Sequence, residues 1–344
     1  MIYAIAFFLV LLSIPLVCRL AARFGFVDTP QGRKQHEQPV PPLGGAVIFI
    51  VFLAMIIMVG QLNWAVLLAL ALVLVVGIID DAWEVNSIFK FAIHFLAAFI
   101  LVLGGGAQIE TLGNLLGFGE MTLGWFAIPF SVACVVYIQN AINMMDGMDG
   151  LAGGITAMIF SFLLWAAYST GQTQAAVELG IILSCLIGFL VYNMRSPFLK
   201  HAKIFLGDAG SMALGLMIAW YAITLSQNQN ATTMIQPVSV AWLIALPIVD
   251  AFGLLAIRLR EGRPPFSPDR RHFHHHFAEA NIKPNYATPI IICYAACLGL
   301  VGFVGIRAGV PVPVLGWLWV ALWMSHTYLT MKPHQFIKLL SRHS

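Results

Sequence analysis

The stretch Trp64-Ala-Val-Leu-Leu-Ala-Leu-Ala-Leu-Val-Leu-Val-Val-Gly-Ile-Ile-Asp80-Asp81 carries no charge until its last two residues, which are adjacent aspartates. A helix rising 1.5 Å per residue needs an apolar run of about this length to cross ~30 Å of hydrocarbon. Two carboxylates at the C-terminal end of such a helix repel each other and face the negative end of its dipole. They need a cation, a lysine or a shared proton, and an unfavourable placement of this kind points to function.

The rest of the chain repeats the pattern. Of its 344 residues 60% are hydrophobic and 10% charged, with a mean hydropathy of +0.87, which places it among helical membrane proteins and leaves no separate soluble domain. Apolar segments at 2–22, 43–60, 64–80, 87–103, 123–140, 150–168, 174–192, 209–226, 236–257, 286–306 and 312–331 predict an all-α polytopic protein of eleven spans; the alternative is ten, with one short segment re-entrant. Alternating the eleven puts every one of the 18 Lys and Arg residues except Arg307 on one side or at its helix ends. That side is cytoplasmic by the positive-inside rule, with the N-terminus outside and the C-terminus inside. A single transmembrane catalytic domain over 1–344 is expected, its active-site loops on the cytoplasmic side.

No basic residue precedes the first apolar run, and Arg19 and Arg23 follow it, so it reads as a retained helix rather than a cleaved signal. The five cysteines, Cys18, Cys134, Cys185, Cys293 and Cys297, all fall in spans and read as packing residues, not as a disulfide or zinc framework. Asn230-Ala-Thr232 has the form of a glycosylation acceptor but lies too close to the membrane to carry weight. No internal repeat is visible.

Four clusters share the inward face. Asp80-Asp81 is the first. The second is Asn140-Ala-Ile-Asn143-Met-Met-Asp146-Gly-Met-Asp149-Gly. Its polar residues recur every third position, and a continuous lipid-facing helix would spread them around half its circumference. The expected form is a helix ending near Asn143, a Gly-assisted turn and a new helix opening near Asp149. Third is Lys203-Ile-Phe205-Leu-Gly207-Asp208-Ala-Gly210-Ser211, where small residues let backbone approach phosphate and the carboxylate suits a hard cation. Fourth is Asp269-Arg270-Arg271-His272-Phe-His274-His275-His276-Phe277. Four histidines beside arginines, with no cysteine, fit the binding of phosphate and sugar oxygens better than a transition metal.

Lys90 lies about a turn into the fourth span, near enough to its end to snorkel or to neutralise an anion. Asp250 lies deeper in the ninth, a functional candidate by default. The first inward loop, Arg33-Lys34-Gln-His36 to Pro39-Val-Pro41-Pro42-Leu-Gly44-Gly45, reads equally as a basic anchor or as part of the site. An ion-coupled transporter is the rival class, but it would place its carboxylates near the midplane with inverted repeats.

In this order and at these span ends, the clusters resemble the polyprenyl-phosphate N-acetylhexosamine-1-phosphate transferases, over about residues 25–280. The first loop and Asp269-Arg-Arg-His272-Phe-His274-His275 are more similar to the WecA group than to the MraY group, while His276-Phe277 departs toward MraY. The resemblance implies a multi-pass enzyme of the bacterial cytoplasmic (inner) membrane. It would move N-acetylglucosamine 1-phosphate from UDP-N-acetylglucosamine to undecaprenyl phosphate with Mg²⁺, or Mn²⁺ in its place, releasing UMP and starting a lipid-linked glycan. Other UDP-N-acetylhexosamines, or UDP-N-acetylmuramoyl-pentapeptide, are the alternative donors. It implies no nucleic-acid partner and leaves a homodimer open.

By the same resemblance Asp208 is the principal Mg²⁺ ligand, with Asp149 beside it. Asp80 handles the lipid phosphate, Asp81 organises the centre, and Lys90 lies close to it. Asn140, Asn143, Asp146, Asp149 and Asn193 line the nucleotide and metal site, and Phe205 stacks on uracil. Arg270, His272, His274, His275 and His276 form the motif that contacts the donor.

Overall fold

The computed structural model describes residues 1–28, 39–59, 63–83, 85–227, 235–264, 269 and 271–341, without the side chains of 336 and 339–341. The first loop's Arg33, Lys34 and His36, the acceptor triplet at 230–232, and Arg270 lie outside the described residues. Among those described every regular element is helical, and the only β pairing is three isolated bridges.

In chain order the helices are α1 (Ile2–Phe24), α2 (Gly44–Val59), α3 (Trp64–Trp83), α4 (Ser87–Gly104), α5 (Ala127–Met144), α6 (Leu151–Ser169), α7 (Thr173–Asn193), α8 (Gly207–Ser226), α9 (Pro237–Leu243), α10 (Ala245–Arg260), α11 (Phe273–Glu279), α12 (Pro284–Arg307), α13 (Val312–Met331) and α14 (Pro333–Ser341). Eight are long and apolar enough to cross a membrane, and α9 with α10 makes a ninth if that bent pair is one span. The protein is therefore a polytopic membrane protein. The two remaining predicted spans correspond to α2, which has only 16 residues, and to α13, where Trp317, Trp319, Trp323 and His326 interrupt the apolar run.

The expected ninth span, 236–257, is not one helix: it bends by 75° between α9 and α10. Pro247 supplies the reason. Its missing N–H is the donor that would have bonded the carbonyl of Leu243, the last residue of α9, and its ring crowds that same carbonyl. Two of the cysteines expected to pack, Cys293 and Cys297, are exposed on α12; all five are free thiols.

The centre of the bundle is α8, 83% of whose span is buried, against 22% for α1 at the periphery. Small residues make this possible, since helices in lipid associate by close packing rather than by the hydrophobic effect. A Cβ on Gly45 of α2 would lie 2.1 Å from the Gly210 Cα, and one on Gly77 of α3 would lie 2.3 Å from the Ala209 Cα. A Cβ on Gly215 would lie 2.6 Å from the Gln139 Cα of α5. These crossings bring the polar ends of α3 and α5 against the first turn of α8.

Candidate active site

The turn between α5 and α6 has the predicted form. α5 ends at Met144, α6 opens at Leu151, and Gly150 between them adopts a φ of 77°. Asn193 ties this turn down: it accepts from the Gly150 N–H at 2.9 Å and donates to the Ile204 carbonyl at 2.8 Å. Gly207 opens α8 at a φ of 76°, and a Cβ there would lie 2.6 Å from Asp81 Oδ2 and 2.4 Å from the Pro42 carbonyl oxygen. Only glycine lets the chain turn that tightly beside a carboxylate.

Adjacent residues on a helix point about 100° apart, and this separates the aspartate pair. Asp81 turns toward α8 and accepts from the backbone N–H groups of Asp208 at 2.9 Å and Ala209 at 3.3 Å, capping that helix from another element. Asp80 accepts from the Val85 N–H at 2.7 Å and pairs with the Lys90 ammonium. Lys90 also pairs with Asp208, so one cation bridges carboxylates from α3 and α8. Asn143 donates to Asp208 Oδ1 at 2.8 Å and to the Ser211 hydroxyl at 2.9 Å.

Beside this centre lies a cavity of about 690 Å³, lined among others by Asn143, Asp146, Asp149, Asn193, Phe205, Asp208, His274 and His275. That volume suits a nucleotide-sized ligand. Asp146 is exposed where it lines the cavity. The density of protein around it, and after that the charges of Asp208, Asp81 and Asp149, push its carboxyl up to about 8. Among the described residues no three His, Cys, Asp or Glu side chains form a ready-made metal cage. The donors nonetheless fit a hard cation that takes few protein oxygens and completes its shell with phosphate and water. Asp208 and Asp146 face one void, with the carboxylates of Asp81 and Asp149 near enough to add to its negative charge.

Asp149 lines the cavity with one oxygen already held by Arg195 at 2.6 Å. Sequence reasoning missed Arg195. Its one signal is its place two residues beyond Asn193, where α7 leaves the apolar region. Not every expected residue reaches the cavity wall. Asn140 donates to its own helix, to the Val136 carbonyl at 2.7 Å. His276 and His272 are buried behind the wall. His272 faces Asp250 at 2.9 Å, and His326 of α13, not anticipated from the sequence, faces the same carboxylate at 3.3 Å.

His274 does line the cavity and packs over Gly147, where a Cβ would come within 2.2 Å of its Nε2. Burial, then the neighbouring imidazoles His275 and His272, press its pKa down to about 3, so it stands neutral at pH 7. Both its ring nitrogens lack a partner among the described residues. Both atoms are buried, so the ring has to turn before these nitrogens, one a donor and one an acceptor in a neutral imidazole, can bond to a ligand in the cavity.

Known proteins are similar to this chain in sequence. The chain is 33% identical to the undecaprenyl-phosphate alpha-N-acetylglucosaminyl 1-phosphate transferase of Yersinia pestis, over 84% of its own length and 79% of the relative's. Residues 63–226 match glycosyl transferase family 4. The chain belongs to that family. Proteins of the same name from Escherichia coli K12 and Haemophilus influenzae are 32% and 31% identical, each over 83% of this chain and over 77% and 81% of their own lengths. This family 4 member is thus a sugar-phosphate transferase, as the four motifs led one to expect. The matched segment holds the carboxylate centre and Lys90, whereas α11, with its histidines, lies beyond it.

Proposed function

We propose that the protein transfers N-acetylglucosamine 1-phosphate from UDP-N-acetylglucosamine to undecaprenyl phosphate, releasing UMP, at the cytoplasmic face of the bacterial inner membrane. The observation that carries this reading is the Asp80–Lys90–Asp208 bridge at the edge of a cavity that also holds Asp146, Phe205, His274 and His275. Eleven spans with the basic ends inward remain our reading of the topology, and they put this edge where a lipid phosphate meets cytoplasm. The names of the relatives support the acceptor and the donor sugar.

In the reaction an acceptor phosphate oxygen attacks the sugar-bearing phosphorus. A new P–O bond forms, the bond to the bridging oxygen breaks, and its electron pair leaves with UMP. Asp80 holds Lys90 at the acceptor side, and the lysine can exchange a carboxylate for the incoming phosphate. Phe205 offers a ring face for the base, and His274, once its buried nitrogens turn outward, hydrogen bonds for diphosphate or sugar oxygens. Asp208, with Asp146 and Asn143, would hold Mg²⁺, which supplies charge neutralisation for the diphosphate and the leaving UMP. Asp149, with one oxygen on Arg195, would join through its other oxygen.

The test is UMP release by purified protein given Mg²⁺, undecaprenyl phosphate and a panel of UDP-N-acetylhexosamines. Asp208→Asn is expected to abolish release while the protein stays folded. Mg²⁺ should raise the unfolding temperature of the wild type but not of Asp208→Asn. No UMP from any donor of the panel removes the enzyme reading; an unchanged response to Mg²⁺ in Asp208→Asn removes only the metal assignment.

A further inference from the structure

α11 is seven residues long, too short to hold a helical shape or an orientation by its own hydrogen bonds. Its position must come from what grips it. Phe277 packs in the core and Phe273 stacks on Tyr294 of α12, and the polar grip is at its first turn, on the single carboxylate of Asp250 in α10, which is 1% exposed. Oδ1 accepts from the Phe273 backbone N–H at 2.9 Å, one of the donors that a helix start leaves unpaired. Oδ2 faces His272 Nδ1 at 2.9 Å, and Oδ1 also faces His326 Nε2 at 3.3 Å. A carboxylate ion only accepts, so an imidazole nitrogen that bonds to it must carry a proton.

His326 belongs to α13, far from the cavity in sequence and beyond the segment matched to the family. It touches α11 a second way, its ring lying 5.4 Å from that of Phe273. From His272 the contact continues inward. The His272 and His274 rings are 5.8 Å apart and within 7° of parallel. His274 in turn rests on Gly147, beside Asp146. A continuous series of contacts thus runs from α13 to the turn that carries Asp146.

Resting on the reading of α11 as the donor side, we propose that Asp250 and His326 form a buried latch that fixes His272 and the first turn of α11, and so sets where His274 and His275 meet the donor. Both are positioning residues. His326 acts through Asp250, and α13 thereby takes part in donor binding without touching the ligand.

Steady-state kinetics on the purified full-length protein, varying UDP-N-acetylglucosamine and undecaprenyl phosphate in turn, tests this. His326→Phe keeps a ring against Phe273 but removes the N–H, while His326→Gln returns an N–H at similar reach. Losing a hydrogen bond to a charged group should raise the donor KM of His326→Phe about tenfold and leave the acceptor KM within about twofold. His326→Gln should recover most of the loss. Asp250→Asn keeps an oxygen for the Phe273 N–H but weakens the contacts to both imidazoles, so it should show the same split at equal or larger size, and the test survives a His326→Phe protein that does not fold. A donor KM that does not move, or an equal rise in both KM values, overturns the latch. His274→Ala separates the two readings. If it leaves the donor KM unchanged in an active enzyme, the donor-side reading of α11 fails; if it raises that KM while the His326 and Asp250 variants do not, the latch alone fails.

Discussion

Asp81 and Asp250 do the same thing in two regions, and they do it differently. Each is a carboxylate on one helix that accepts from the first backbone N–H groups of another, Asp81 for α8 and Asp250 for α11. α8 has 20 residues with most of its span buried, so its packing already fixes it, and two backbone bonds suffice to set its first turn. The seven-residue α11 packs too, through Phe277 in the core and Phe273 on Tyr294, but over a far shorter length. Asp250 therefore spends one bond on its backbone and gathers two imidazoles as well. The lesson is that a site built on a core helix needs placement only, whereas one built on a loop helix needs side-chain anchors too.

The widest difference should appear between neighbours. Asp80→Asn is expected to lower kcat by about 10²–10³-fold with a smaller change in unfolding temperature than Asp81→Ala, since Asn keeps an oxygen for the Val85 N–H and removes no helix cap. Asp81→Ala should show the opposite balance. It should lower the unfolding temperature by the equivalent of about 2 kcal/mol, and activity should fall in proportion to the folded fraction and the displaced Asp208. If Asp80→Asn destabilises as much as Asp81→Ala, the division between chemistry and capping is wrong.

A smaller effect is expected at the cavity wall. Arg195→Gln frees Asp149 from a partly exposed ion pair, and pairs of this kind contribute about 1 kcal/mol or less. A change in donor KM of about fivefold or less, measured as above, is the expected outcome. A change a hundred times larger would mean that Arg195 touches the donor itself.

The smallest effect concerns the approach to α11. Burial pushes the Asp269 carboxyl up, but Arg271, bonded at 2.8 Å, and Arg258 outweigh it and hold it well below the usual carboxylate range. A group depressed on folding stabilises above its unfolded pKa of about 4 and loses that contribution as pH falls through the folded value. The gap in unfolding temperature between wild type and Asp269→Asn should thus be present at pH 7 and narrow below about pH 4. A gap that is constant with pH would show that Asp269 acts by packing rather than by charge.

Much of the fold was legible because lipid allows few solutions. Backbone in hydrocarbon must bond to itself, so long apolar runs can only be helices, and their polar ends mark the interface. The turn after Asn143 and the approach of α8 to Asp208 follow from glycine and polar spacing. Even the break before α10 had its sign in Pro247. His326 too carried a sign, a polar residue inside an apolar run, though not one that named its partner.

By itself, then, the sequence determined that this chain is a helical membrane protein with its carboxylates and histidines gathered at one face. Spacing along a helix and the cost of charge in lipid are local properties, written in order along the chain. The tertiary structure alone decided that Asp80 meets Lys90 while Asp81 caps α8, that Arg195 takes Asp149, and that His272 turns from the cavity toward Asp250. Each of these depends on which helix end lies beside which. That is set by the crossings of α2, α3 and α5 on α8 and by the seating of α11 on α12 and α14 with Asp250 and His326 at its first turn, contacts between residues far apart in sequence.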